Sequence, residues 1–541
     1  MKGILAGAVV FLVAVPLFAQ VSGPAAPQDT DIVIPELMLQ VEELQLQQVS
    51  AVLPDEGELA LGRLAIQLPG AEELFIDEAA FAVALPGVVR PQDARSVFSS
   101  GRLGAGTANH IVGELSLFRL GVPPRFRLRF AHEGIDGYQF RDAGTGYFSS
   151  SNVIDGWFTG GTDRLGTEFE AGFSEQTHGL QGQSDYFSVG LRRTDASGLL
   201  RFTPDPVVSI TAELSAGAAT RILSLSGTDT VPREREFVVS PAAEARFGIR
   251  AVDIVLTTSY FLRFLEAGEI PVYQDVDVLA GVDITLPVGG SVSARAGVLW
   301  EPAAALRYPW SLSLELLFGE ALETQLAGGY RVERLTLADL WSDVPQAGIG
   351  GTGGATELSA DGQWYGGLSA RWSGATGFSV AGGVDFAAHD ARVEILPYDL
   401  EANRYPFSQA PALSLTGRVR AGWRPDPRVQ IQAGWGGSFL DTPPGTPIGT
   451  IDGAVRIGDA GERLSAAAEL RTDFYPEAAV PMLGLSGSFA PSDELEFSLE
   501  LTDLFAPLLE NGRPAIGAAY GSDYPFIAPG FRASLFTRIS L

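Results

Sequence analysis

Lysine is almost missing from this chain of 541 residues: Lys2 stands alone, and cysteine is absent altogether. Without cysteine there are no disulfides, no thiolate metal ligands and no leading residue for a lipid anchor. Lys2 lies in the leading apolar stretch, so lysine-nucleophile and Schiff-base chemistry are excluded from the chain that follows. Positive charge of any kind is scarce, with 37 Lys and Arg against 65 Asp and Glu, and the formal net charge is -28. A nucleic-acid partner would need a basic patch and is therefore not expected. Beyond residue 19 no uninterrupted apolar run reaches the ~20 residues of a spanning helix. No metal-ligand cluster, G-x-S-x-G element or phosphate-binding loop stands out, so neither a metal nor a cofactor is expected.

What is present begins with "MKGILAGAVVFLVAVPLFAQ": one positive charge, an apolar run from Ile4 to Phe18, then small Ala19. That is the pattern of a secretory signal peptide over residues 1–19, cut after Ala19. Glycine (64) and aromatics (10%) are plentiful beside only 19% charged residues. Spread over many short alternating runs, this composition indicates an all-β protein.

The alternation is regular. In "DVDVLAGVDITLPVGGSVSARAGVLW", Val276, Val278, Ala280, Val282, Ile284 and Leu286 share one face, opposite Asp275, Asp277, Asp283 and Thr285. Gly289 and Gly290 make a tight turn, because glycine tolerates positive φ. Val292, Ala294, Ala296, Val298 and Trp300 then repeat the pattern, as do Leu312, Leu314, Leu316 and Phe318 against Ser311, Ser313 and Glu315. Such runs are ~10 residues long, the length a tilted strand needs to cross a bilayer. From Val276 onward short and long links alternate, with "YPEA" the one exception. Short turns at one rim and long loops at the other is the outer-membrane barrel pattern.

The same bookkeeping gives about 22 strands between Val97 and Leu541, with Tyr186 to Phe202 open as one long strand or a hairpin. Only a closed barrel satisfies every backbone hydrogen bond in lipid. The fold class is thus all-β, a closed antiparallel transmembrane β-barrel with a short N-terminal periplasmic segment, placed in the bacterial outer membrane. Its last strand, Phe531 to Leu541, must pair with its first, face lipid with Leu535, Ile539 and Leu541, and serve as the contact for the barrel-assembly machinery. Trp300, Trp310, Trp372 and Trp423 fall at strand ends, where an aromatic girdle belongs.

The C-terminal segments "FSLELTDLFAPLL" (Phe497 to Leu509) and "YPFIAPGFRASLFTRISL" (Tyr524 to Leu541) resemble the end of TonB-dependent receptors. In that family an N-L-F-D-like element closes the penultimate strand and a Y-P-x-P-G-R-x-F element opens the last. Here Thr502-Asp503-Leu504-Phe505, Tyr524-Pro525 and Pro529-Gly530-Phe531-Arg532 stand in those places. The family usually ends on Phe, this chain on Leu541. The resemblance implies a 22-strand barrel and uptake across the outer membrane. It covers the C-terminal barrel only, because the family's folded plug domain is longer than the segment from Gln20 to Ser96.

That segment, residues 20–96, holds three Leu-Pro pairs, at Pro54, Pro69 and Pro86, among acidic residues such as Glu72, Glu73, Asp77 and Glu78. Proline and acid argue against an independent core and for an extended or disordered periplasmic leader. Short strand-forming motifs that dock in the barrel or on a periplasmic partner are the alternative. "DTDIVIPEL" (Asp29 to Leu37) is loosely similar to a TonB box.

The four histidines, His110, His132, His178 and His389, are expected at the surface or rim. A barrel hydrolase would need one of them to converge with Ser and Asp, and the spacing does not demonstrate it. No catalytic residue and no enzyme is expected. The Gly-rich "AGIGGTGGA" (Ala347 to Ala355) reads as a flexible loop. By strand parity Arg418, Arg420, Glu469, Arg471, Asp473, Glu496, Glu500, Arg532 and Arg538 face the lumen. They form either a hydrated path for a polar solute or a network that holds the wall. The functional expectation is an outer-membrane channel or receptor for uptake or passage of a polar solute. The alternative is a non-transporting barrel that recruits periplasmic machinery through residues 20–96.

Overall fold

The computed structural model describes residues 97–541 except 120–122, 139–140, 163, 226–229, 266–272, 288, 303–305, 320, 345–346, 348–357, 375–376, 397–398, 400–405, 443–446, 460–462, 476–478 and 509–525. The signal peptide, the TonB-box-like stretch and the leader therefore lie outside the described residues. So do Tyr524-Pro525 and all of the Gly-rich loop but Ala347.

Twenty-two antiparallel strands make one sheet. They are β1 (Phe98–Gly106), β2 (Ile111–Arg119), β3 (Arg125–Asp136), β4 (Phe148–Thr162), β5 (Leu165–Gly179), β6 (Ser188–Asp205) and β7 (Val208–Ser224). Then come β8 (Thr230–Ile249), β9 (Val252–Leu265), β10 (Tyr273–Thr285), β11 (Gly290–Trp300), β12 (Trp310–Phe318), β13 (Leu322–Glu333) and β14 (Asp361–Ser373). The last eight are β15 (Phe378–Ile395), β16 (Phe407–Asp426), β17 (Val429–Leu440), β18 (Gly449–Gly458), β19 (Leu464–Phe474), β20 (Ala479–Ser492), β21 (Leu495–Thr502) and β22 (Arg532–Ser540). Each strand pairs with its neighbours in sequence, and β22 pairs with β1 to close the ring.

An even strand number puts both ends of the barrel at one rim. That rim also carries the tight links 206–207, 250–251, 427–428 and 493–494, while the opposite rim carries 334–360 and 503–531. By the outer-membrane rule the short-turn rim is periplasmic. The link 475–478 lies at the long-loop rim and is short there.

Tyr186 to Phe202 resolves into one strand, since β6 runs unbroken from Ser188 to Asp205. Several strands exceed ~10 residues, and β8 and β16 reach 20. Strands of that length exceed the ~10 residues that a tilted strand needs to cross a bilayer, so the excess raises the wall beyond it.

The outward face is a band of exposed apolar side chains: Leu312 on β12, Leu326 on β13, Leu368 on β14 and Val384 on β15. Aromatic rows bound it. Trp310, Tyr330 and Trp364 lie opposite one another on β12, β13 and β14, with the Tyr330 and Trp364 rings 5.2 Å apart. At the other rim Trp372 packs 5.9 Å from Phe378, whose Cα partner is Trp423. Trp364 to Trp372 on β14, at ~3.3 Å per residue and a tilt of about 40°, spans roughly 20 Å of membrane normal, close to the height of an outer-membrane apolar band. Leu314 sits in this band between its partners Val292 and Leu326, and Ser313 faces inward between Ser293 and Ala327. Leu314→Arg should cut assembly yield sharply, by the ~2–4 kcal/mol that Arg costs at mid-membrane. Ser313→Arg should assemble, as read by the folded fraction on unheated gels. Equal yields would put the two faces the wrong way round.

Closure of the ring explains why the chain ends on an apolar strand. Ser99 N–H donates to the Leu541 carbonyl (2.8 Å) and Leu541 N–H to the Ser99 carbonyl (2.7 Å). Phe536 breaks the otherwise polar parity of the inward face of β22. Its ring lies over Gly104, where a Cβ would sit 2.1 Å from the ring, and the Arg102 guanidinium stacks 4.0 Å from its centroid. The glycine leaves a gap in the wall that the aromatic ring of the next strand fills.

Candidate functional site at the outer mouth

The link between β13 and β14 turns inward at the long-loop rim. "TLADLWSD" starts a short helix, α1 (Leu337–Asp343), because Thr336 caps it: the Thr336 hydroxyl accepts from Asp339 N–H (3.1 Å). Its apolar residues at helical spacing, Leu337, Trp341 and then Val344, are buried, and Trp341 is 0% exposed. With Ala347 and Leu358 they join one hydrophobic cluster with Leu180, Val189, Leu191, Ala219, Phe407 and Phe526. Leu191 belongs to β6 and Phe407 to β16, ten strands apart in a ring of twenty-two. The cluster therefore crosses the bore, and the link is a cap.

A segment folded into a barrel needs partners for its backbone groups, and the wall supplies them as polar side chains. Glu236 on β8, 1% exposed, accepts from Leu337 N–H (2.9 Å) and Ala338 N–H (2.8 Å). Arg263 on β9 donates to the carbonyls of Leu335 (2.6 Å) and Leu358 (2.8 Å), and its Nε lies 3.9 Å from Glu236. Arg221 on β7 donates to the Ala347 carbonyl, pairs with Glu234 (2.6 Å), and lies 5.9 Å from the centre of the Trp341 ring. At the near end Arg334 grips buried Asp275 of β10 with two nitrogens, at 2.9 and 2.7 Å. Two glutamine amides finish the clamp. Gln409 both accepts from Ser359 N–H (2.9 Å) and donates to its carbonyl (3.0 Å), and Gln181 does the same for Ile527 (2.8 and 2.7 Å).

None of these anchors was singled out from the sequence, and the signal is faint. Arg221, Glu236 and Arg263 carry the inward parity of their strands, but nothing in their spacing shows that a link returns to meet them. Of the Gly-rich loop only Ala347 is described, and it is fully buried in the cap.

The nine residues expected at the lumen do not form one site. Arg418 and Arg420 lie on the face of β16 opposite Val419, and each meets a carboxylate: Asp385 of the adjacent β15 (3.3 Å) and Asp452 of β18, two strands away (3.6 Å). On β19 Arg471 pairs with Asp473 (2.9 Å), which also accepts from the Thr450 hydroxyl, while Glu469 pairs in register with Ala454 and Gly484. The others stand at the seam. Glu500 pairs with Arg102 (2.6 Å), Arg532 with Glu133 (3.2 Å), and Glu496 lies across from Arg538 in register.

Two histidines are more buried than a surface or rim position implies. His110, 5% exposed, lies between the Ser534 hydroxyl (2.6 Å) and Glu133 (3.2 Å), and burial followed by the charge of Arg532 lowers its pKa. His389 meets both Asp361 (2.7 Å) and Ser414 (3.4 Å). His132 bonds Asn152 (2.8 Å). Among the described residues no group of His, Asp and Glu is placed to hold a metal ion.

A closed 22-strand barrel with a lipid-facing apolar band and a cap docked inside its outer mouth is an outer-membrane barrel with the fold of TonB-dependent receptors. Solved structures carry the comparison. A variant of the ferric enterobactin receptor PfeA of Pseudomonas aeruginosa matches at a TM-score of 0.61 and 14% identity, over 82% of this chain and 80% of that one. The siderophore receptor PirA of Acinetobacter baumannii matches at 0.62 and 8%, over 82% and 80%. The copper transporter OprC matches at 0.61 and 10%, over the same shares. No protein-family model and no curated protein matches the sequence. The likeness is one of fold, and it names no substrate.

Proposed function

We propose that this barrel is an uptake receptor or channel for a polar solute, with the cap formed by residues 334–344, 347 and 358–360 as the barrier at its outer mouth. The observation that carries this reading is the clamp. Four wall side chains, Arg221, Glu236, Arg263 and Gln409, together with Gln181 of the β5–β6 link, hold the backbone of inward-folded links in place. A barrel serving only as an anchor has no use for a docked segment there.

The solute's charge class follows from composition. Residues 97–541 hold 52 Asp and Glu against 33 Arg. Their outward face is apolar, so the acidic excess lies on the inner wall and in the links. A negative lumen concentrates cations and repels anions, which favours cationic or neutral polar solutes. In this reading Arg418, Arg420, Arg471 and Arg532 are held by Asp385, Asp452, Asp473 and Glu133, Arg538 lies across from Glu496, and little free positive charge is left for an acidic leader. Binding of residues 20–96 to a periplasmic protein is then favoured over binding to the lumen.

Deleting residues 20–96 should leave a folded, heat-modifiable barrel, since ring closure uses only β1 to β22. Liposome swelling with a small neutral sugar should be unchanged by the deletion, and co-purification of a periplasmic partner should be lost. A rise in swelling would place the leader in the lumen instead. If neither the full chain nor a cap-deleted chain passes any solute, the transport reading is wrong.

A further inference from the structure

Asp361, His389 and Ser414 stand on three adjacent strands, β14, β15 and β16, all on the inward face. Ser414 pairs in register with Ala387 and Ala387 with Tyr365, next to Trp364 of the outer aromatic row. The three side chains therefore sit at the level where the lumen meets the outer membrane surface. Asp361 Oδ2 is 2.7 Å from His389 Nδ1, and His389 Nε2 is 3.4 Å from Ser414 Oγ.

The carboxylate is fixed from two further directions. Ala391 N–H donates to Asp361 Oδ1 (2.8 Å) and the Gln363 amide donates to Oδ2 (3.0 Å). Ala391 lies where the β15–β16 ladder breaks register, between His389 and Arg392. A bulge of this kind frees a backbone donor and re-aims the side chains beside it. With Asp361 held as an acceptor, the proton of a neutral His389 belongs on Nδ1, and the Nε2 lone pair points to the serine. Asp361 is 2% exposed, whereas Ser414 remains half-buried and open to the lumen.

We propose that Ser414 is a nucleophile, with His389 as its base and Asp361 as the positioning group, that accepts an acyl group from a carboxylic ester entering the outer mouth. Nucleophile, base and orienting acid stand in the order such chemistry needs, and the constellation is recognised by geometry rather than by fold or chain order. In the step, Ser414 Oγ bonds to the ester carbonyl carbon while Nε2 takes the hydroxyl proton. The ester C–O bond then breaks, and the proton passes to the departing alkoxide. The products are acyl-Ser414 and an alcohol, with no other reactant consumed. The Ser414 hydroxyl is shared between His389 Nε2 and the Ala387 carbonyl, both at 3.4 Å, a loose arrangement of the kind that tightens when substrate arrives. The inference stands on these three strands alone and is independent of the uptake reading.

The test is covalent. The full-length chain, folded in detergent micelles, is treated with a fluorophosphonate probe, digested, and mapped by mass spectrometry. A p-nitrophenyl ester is followed in parallel for a burst of p-nitrophenol. The expected result is a label on Ser414 and on no other serine of β16, with the labelling rate lowered about a hundredfold or more in His389→Gln, the scale of a lost general base. Asp361→Asn should slow labelling as well, and Thr416→Ala, two residues along the strand, should leave it unchanged. Gel mobility before and after heating shows that each variant is folded. If Asp361→Asn does not assemble, His389→Gln alone decides. Absence of label on Ser414 in the folded chain, or equal labelling in His389→Gln, overturns the proposal.

Discussion

Replacing residues 336–357 with a short Gly-Ser link should turn a closed barrel into an open pore. In planar bilayers the full chain is expected to show little steady current, and the cap-less chain sustained openings with cations preferred over anions. The expectation follows from the placement of the cap: Leu337, Trp341, Val344 and Leu358 leave water together, in a cluster that joins β6 to β16 across the bore. The wall should survive the excision, because the β13–β14 ladder runs from Leu322↔Trp372 to Glu333↔Asp361 and ends before the excised residues. Unheated gel mobility is the control. Equal conductance of the two proteins would show that the cap does not obstruct the path.

Arg263→Ala should undock the cap without opening the wall. Arg263 holds two cap carbonyls and lies beside Glu236, itself bound to two cap N–H groups. Removing one member of a buried charged set leaves the other uncompensated and costs ~3–5 kcal/mol. That is enough to shift a docked segment from almost always closed to mostly open. Protease added to the outer side of the folded protein should then cut between Leu335 and Leu358 in the variant and not in the parent. Arg420→Ala is the contrasting case. Its pair with Asp452 is part-exposed, at 3.6 Å, and such pairs contribute ~0–1 kcal/mol, so cleavage should not change. Equal cleavage of Arg263→Ala and Arg420→Ala would mean that the clamp does not hold the cap.

The strands were legible in the sequence because a wall with lipid on one side and water on the other imposes a period of two. Phe531 to Leu541 and Asp275 to Trp300 show it at sight, and the rim assignment followed from link lengths alone. Strand ends were less legible. Outside the bilayer both faces of a strand are wet, so the outer reaches of β6 and β8 lose the alternation that marks them. Phe536 breaks parity because its reason to be inward, Gly104, lies 432 positions away and meets it only at the seam. The cap was hidden for the same reason. "LADLWSD" is too short to announce itself, and its anchors Glu236, Arg263 and Arg221 are ordinary inward residues until a link folds back on them. His389 was visible as a residue, but Asp361 and Ser414 join it only through the registers of β14, β15 and β16, including the bulge before Arg392.

Heat modifiability tests the lipid-embedded, closed ring most directly. The purified chain in detergent, run on a gel unheated and after boiling, should give two mobilities, the unheated form compact and resistant to protease throughout β1 to β22. Extraction from membranes should require detergent. A single mobility under both conditions, from a protein that dissolves in plain buffer, would contradict the barrel.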